Sequence, residues 1–145
     1  MNTFDLFKTY TPVDFFDFGQ MPIANGFGLK DADVNSFHMV ADFFGELKLV
    51  KLRDQPKNIE MFNENYAFFT GTSKNMIAHF EKTAAHLAQS LSWEKNSLIF
   101  EIGCNDGTFL KHAKRYSNNV RGIEPSENVA AAAQTANINI DVEFF

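Results

Sequence analysis

The period of apolar and polar positions changes along this chain, and the changes divide it. Between Ser73 and Leu91, residues Met76, Ile77, Phe80, Ala84, Leu87, Ala88 and Leu91 recur at helical spacing. One apolar stripe of this kind predicts an amphipathic helix, with Thr72 or Ser73 capping its start. His79 and His86 lie beside the stripe. From Ser97 onward the pattern becomes strand, helix, strand, helix, strand. Leu98–Ile102 is an apolar strand, Thr108–Tyr116 a short helix and Val120–Ile123 a second strand. Ser126 caps a helix running from Glu127 through the alanines to about Ala136, and Ile138–Phe145 alternates as a third strand. Such alternation predicts a parallel sheet with right-handed crossovers.

The first half is irregular and aromatic. Asp14–Phe18 reads as a short strand closed by Gly19, and Met21–Gly26 as a loop with turn chemistry at Asn25-Gly26. Phe37–Phe44 and Glu46–Arg53 flank Gly45, and the second run alternates apart from Val50, which predicts a β-hairpin. Ile59–Phe62 reads as a helical turn. Two domains follow: an aromatic-rich module over 1–70, then a linking helix and half of an α/β domain over 71–145.

Composition narrows the function. The chain has 145 residues, 45% of them hydrophobic, which suits a globular protein. Its net charge of −5, with no basic run, makes nucleic acid an unsuitable partner. No apolar stretch approaches the roughly 20 residues of a bilayer span, and the first residues lack a signal-peptide pattern. A single cysteine, Cys104, allows no internal disulfide. The expected location is the cytoplasm. Seventeen phenylalanines predict aromatic packing, with some left for a ligand pocket or a partner surface.

The chemistry concentrates in Glu101-Ile-Gly-Cys-Asn-Asp-Gly107. A strand, a glycine turn and a helix start put backbone N–H groups beside a ligand. Gly103 allows the sharp exit from the strand, and Gly107 allows backbone to approach closely. Asn105 stands where dinucleotide sites prefer a glycine, and it tolerates left-handed backbone. Glu101, two places before Gly103, would repel a pyrophosphate but suits a positively charged or hydroxyl-bearing ligand. That favours S-adenosylmethionine (SAM) over a dinucleotide. Asp106 either contacts such a ligand or caps the following helix. At the end of the next strand, Glu124 can accept hydrogen bonds from both ribose hydroxyls, with Pro125 turning the chain toward the adenine side. Either acid alone also fits an ordinary carboxylate near a helix N-terminus. Cys104 lacks a base partner and reads as a small buried filler rather than a nucleophile.

On these residues the chain resembles the SAM-dependent sugar C-methyltransferases, which act on nucleotide-linked deoxy-keto-sugars. Phe16-Asp-Phe-Gly-Gln-Met-Pro-Ile-Ala-Asn-Gly-Phe27 resembles the early LG-x-x-P-x-AN segment of that family. Tyr66-Ala-Phe-Phe-Thr-Gly-Thr-Ser73, with Met76 and His79 following, resembles its Y-x-Y-F-S-S-x-S segment. Phe100–Leu110 resembles its EIG-S/C-NDG cofactor loop, and Gly122-Ile-Glu-Pro-Ser126 its G-V/I-EP segment. The resemblance implies a partial Rossmann-like methyltransferase sheet, preceded by a small aromatic hairpin module and a long helix. It implies SAM as cofactor, held by Glu101, Gly103, Asn105, Asp106, Gly107, Glu124 and Pro125. It implies substrate contacts from Tyr66, Phe68, Phe69, Ser73 and His79.

Two departures stand out. The family usually opens with a zinc module of two Cys-x-x-Cys pairs. Here the second pair would fall near Ala41 and Phe44, so an apolar cluster is expected to replace the metal, with no zinc. The chain also stops at its third sheet strand, so the expectation is a truncated form whose general base is absent. Leu98–Ile102 would then present an open apolar edge, covered by the aromatic module, by a second copy or another chain, or left sticky. The alternative function is a non-catalytic remnant that binds a nucleotide-sugar or a protein. A dinucleotide oxidoreductase fragment is disfavoured by Glu101 and the missing middle glycine.

Overall fold

The computed structural model describes residues 6–24 and 35–145, and the chain divides into two units at Met61/Phe62. The predicted Asn25-Gly26 turn lies outside the described residues.

In the first unit, strands β1 (Val13–Pro22), β2 (Ser36–Phe44) and β3 (Leu49–Leu52) form an antiparallel sheet in the order β1-β2-β3. The predicted hairpin is β2–β3, closed over Gly45–Lys48, with Lys48 at φ 53°. Its second strand is shorter than the Glu46–Arg53 run. The expectation that Gly19 closes β1 is corrected. The strand continues to Pro22, and the register shifts between Asp17 and Gln20. Gly19 absorbs the extra residue at φ 71°, and its N–H donates to Asp17 Oδ1 at 2.7 Å. A glycine with positive φ and a local acceptor makes a bulge, after which pairing resumes. Met21 and Pro22, read as loop, therefore belong to the strand.

Around the Ala41–Phe44 step, the side chains of Val40, Ala41, Asp42 and Phe44 are buried. Phe7 meets Phe44 edge to face at 5.2 Å between ring centres. Arg53 donates to both oxygens of Asp42 and also to Asp14, clipping all three strands together. The guanidinium holds the Asp42 carboxyl below the usual carboxylate range. The sheet is thus closed by an aromatic pair and a charged fork, and the fork was not foreseen. The short helix α1 (Asn58–Met61) ends the unit.

The second unit is mixed α/β. Helix α2 (Lys74–Ser90) precedes a parallel sheet of β4 (Leu98–Ile102), β5 (Asn119–Ile123) and β6 (Asn139–Asp141), in the order β4-β5-β6. Helices α3 (Thr108–Ala113) and α4 (Glu127–Thr135) make the crossovers. Ser73 is the N-cap of α2 and accepts the Met76 N–H, as expected. Only Ala84 and Ala88 of the predicted stripe are fully buried, because α2 packs mainly on the short helix α3. Phe80 reaches Phe109 there, whereas Met76 and Leu91 stay exposed. The third strand covers only three of the residues from Ile138 to Phe145. Its partner β5 ends at Ile123, and after the Glu124 N–H bonds Asp141 O no further pairing is available.

Ile99, Leu110, Ala113, Val120, Ala130, Ala133 and Ile140 form the core between the sheet and its two crossover helices. Side chains alternate along a strand. Ile99 and Glu101 therefore share the covered face, while Leu98, Phe100 and Ile102 take the other. Those three are 64%, 43% and 56% exposed. The expected apolar edge strand thus also carries an exposed apolar face, because α3 and α4 pack on the other side, with Ile99, Val120 and Ile140. Among the described residues no helix is long and apolar enough to cross a membrane.

Candidate functional site

The site is built where β4 and β5 end side by side. Glu101 is in register with Gly122, and Glu124 follows the last paired residue, Ile123. Gly103 leaves β4 at φ 69°, Asn105 turns left-handed at φ 52°, and Gly107 starts α3 at φ 70°. The glycine loop therefore has the geometry its residue types predict. Gly103 and Cys104 both donate to Ile123 O, which fastens the loop to the end of β5.

The carboxylates take three different environments. Glu124 is 5% exposed; its Oε2 accepts the Asn105 N–H and its Oε1 the Ser126 N–H, each at 3.0 Å. Both oxygens that were assigned to ribose hydroxyls already join the two loops. Ser126 occupies the N-cap of α4 as expected, but its hydroxyl makes no cap bond and has no partner, while its N–H donates to Glu124. Asp106 bonds the first residue of α3 and the Gly71 segment. Oδ1 accepts from Thr108 N–H and hydroxyl, and Oδ2 accepts the Gly71 N–H at 2.6 Å. Glu101 alone keeps a buried oxygen, Oε2, without a partner. Burial, then Asp106, then Glu124 push its carboxyl up to about 8.

Residues 66–73 lie on this loop. Thr70 N–H and hydroxyl donate to Asn105 Oδ1, and Asn105 Nδ2 donates to Phe68 O. Asn128 Nδ2 on α4 donates to Tyr66 O at 2.7 Å. Tyr66 packs between Phe62 and Phe68, and burial, with a smaller effect of Glu124, pushes its hydroxyl up. The boundary between the units accordingly falls before Phe62 rather than after residue 70. Phe68 remains half exposed, Phe69 is half-buried, and Ser73 is spent as a helix cap. His79 sits exposed on α2 with its ring against Phe80. Pro125 is half-buried between Glu124 and Ser126.

Cys104 is 3% exposed, and burial with Glu101 and Glu124 pushes its thiol up to about 12. That thiol is no nucleophile at neutral pH. Its neighbour is Gly122, where an added Cβ would lie 2.5 Å from Sγ. Sequence reasoning missed Gly122 and the alanines of α4 as site-shaping residues. Gly107 needs Ala133 opposite it, since a Cβ there would come within 2.9 Å of the alanine Cβ. The signal was a small residue, Ala133, in the alanine run of the crossover helix that faces the glycine turn.

No family model matches this sequence, and no curated protein matches it.

Proposed function

We propose that the second unit is a partial Rossmann-like SAM-binding fold, and that the chain is a SAM-dependent methyltransferase of the sugar C-methyltransferase kind. The observation that supports this most is the placement of Glu101, the left-handed glycine loop and Glu124 at the adjacent carboxyl ends of two parallel strands. Ligands of open α/β sheets bind at that end. The residues fit the cofactor unequally. Glu101 has an unsatisfied oxygen, which suits a cationic or hydrogen-bond-donating group. Glu124 offers only the acceptor capacity left after two backbone bonds.

When bound, SAM would supply an electrophilic methyl group. Glu101 and the loop backbone at Gly103 and Gly107 would orient the amino acid end, and Glu124 and Pro125 the nucleoside end. Tyr66 and Phe68 would border the acceptor, a nucleotide-linked deoxy-sugar. C-methylation needs a general base to remove a proton beside a ketone. None of the described residues is assigned to that task.

Calorimetry tests the reading. S-adenosylhomocysteine should bind the chain at millimolar concentration or below, and NAD should not. Glu101→Gln should weaken the former by about tenfold, the cost of one charge-assisted contact. Silence toward every adenosyl compound would remove SAM from the account.

A second reading is favoured by the exposed Leu98, Phe100 and Ile102 face. Parallel sheets are ordinarily covered on both sides. In that reading the unit is a non-catalytic module whose bare face binds another protein or a second copy. Light scattering should then show mass rising with concentration, and Phe100→Glu should restore a monomer. A constant monomer mass at high concentration counts against it.

A further inference from the structure

We infer that Asn105 is the positioning residue of this site: its side chain makes the order of the Phe68–Thr72 segment depend on the conformation of the glycine loop. Every polar group of the Asn105 side chain faces that segment. Oδ1 takes both donors of Thr70, at 2.9 and 3.1 Å, and Nδ2 reaches Phe68 O at 2.9 Å. The backbone N–H of the same residue donates to Glu124. One residue thus links three pieces of chain that are distant in sequence.

The neighbouring contact is equally close. Gly71 N–H bonds Asp106, and a Cβ on Gly71 would fall 2.9 Å from Asp106 Oδ2 and 3.0 Å from Thr108 Oγ1. Glycine is needed here for approach, not for its backbone angles. The segment has only one turn of 3₁₀ helix, Thr70–Thr72, and it buries no residue fully. Its order therefore comes from the loop's side chains rather than from a core of its own.

Asn105 also meets a conformational demand. Its φ of 52° excludes most residues at low cost, but admits Asn, Asp and Gly. An isolated turn would be served as well by glycine. The side chain is what glycine lacks, and it is committed wholly to the Phe68–Thr72 segment.

Reciprocity follows. A group that shifts the loop shifts the segment, and ordering the segment favours the loop conformation by the same factor. Phe68 is carried on that segment and its ring meets Tyr66, so this aromatic pair and the glycine loop are set together.

Hydrogen exchange on the full chain tests this. Asn105→Gly keeps the left-handed turn and deletes the side chain. Thr70 and Gly71 amides should then exchange on the order of 10- to 100-fold faster, while Ala84 in α2 and Val120 in β5 keep their wild-type rates. Asn105→Asp restores the acceptor and should return Thr70 protection most of the way. Equal acceleration of every amide in the second unit, or undiminished Thr70 protection in the glycine variant, overturns the inference. Should Asn105→Gly fail to fold, the wild type decides. Its Thr70, Gly71 and Asn105 amides must open as one unit, and independent opening is the adverse result.

A ligand arm rests on the SAM reading. S-adenosylhomocysteine should slow Thr70 exchange in the wild type and bind about tenfold more weakly to the glycine variant. Absence of binding to the wild type would reject that reading and leave the exchange result to stand alone.

Discussion

Gly107→Ala is expected to destabilise the second unit by about 3 kcal/mol, against about 1 kcal/mol for Gly103→Ala. The two glycines have nearly the same backbone, φ 70° and φ 69°. Left-handed strain alone therefore predicts equal losses. Their surroundings differ. A Cβ at Gly103 meets nothing within 4 Å, whereas one at Gly107 lies 2.9 Å from Ala133 Cβ, with Ala133 Cα and Ile138 Cγ1 both at 3.6 Å. Ala133 is fully buried in α4, so the helix must shift to make room. Overpacking of that kind adds roughly 1–3 kcal/mol to the strain. Urea unfolding followed by the single tryptophan, Trp93, measures the difference, because Trp93 packs against the core of this unit. Equal midpoints for the two variants would show that α4 yields freely, and that the close fit at Gly107 carries no energy.

The second large effect is a pH dependence centred on Glu101. Its carboxyl is pushed up to about 8 in the folded chain, from an ordinary 4.5. Below pH 4.5 it is protonated in both folded and unfolded states and leaves stability unchanged. Between 4.5 and 8 the folded state holds a proton that the unfolded state has lost, so stability falls as pH rises. Above about 8 the carboxylate is ionised in both states, and the whole penalty is in place. The cause is physical: an oxygen without a donor, removed from water beside Asp106 and Glu124. Asp106 and Glu124, by contrast, each accept backbone N–H bonds. Glu101→Gln removes the charge and keeps the shape. It should match the wild type near pH 4 and exceed it by about 2 kcal/mol at pH 9, a figure reduced for partial exposure. Parallel stability curves for the two proteins across that range would contradict the assignment.

These two predictions bear on function as well as folding. Glu101 Oε2, like Ser126 Oγ and Asn128 Oδ1, is buried without a partner, while Asp106 and Glu124 are bonded; under the SAM-binding proposal, Glu101 would receive a donor or a cation. Stability spent on Glu101 would be recovered when such a ligand binds.

Much of this was legible in the residues. The βαβαβ order, the cap at Ser73 and the left-handed glycine loop all follow from local rules of period, capping and backbone tolerance. So does the β2–β3 hairpin about Gly45. The misreadings share one origin. Gly19 looked like a strand terminator and is a bulge, because the partner strand β2 continues past it. Ile138–Phe145 looked like a full strand and pairs over three residues, because β5 is spent. Pairing length belongs to the partner, and no local pattern reports it.

The site divides along the same line. Residue types alone determined that Gly103, Asn105 and Gly107 would turn the chain, and that Glu101 and Glu124 would close adjacent strands. Only the tertiary structure decided which carboxylate is free. Asp106 and Glu124 each have one oxygen bonded by an amide two positions on and the other by an amide thirty-five and nineteen positions away, respectively, whereas Glu101 Oε2 has no donor. A charge is stabilised by whichever donors surround it in space: the turn donors at Thr108 and Ser126 are local, but those at Gly71 and Asn105 exist only because strands and loops come together.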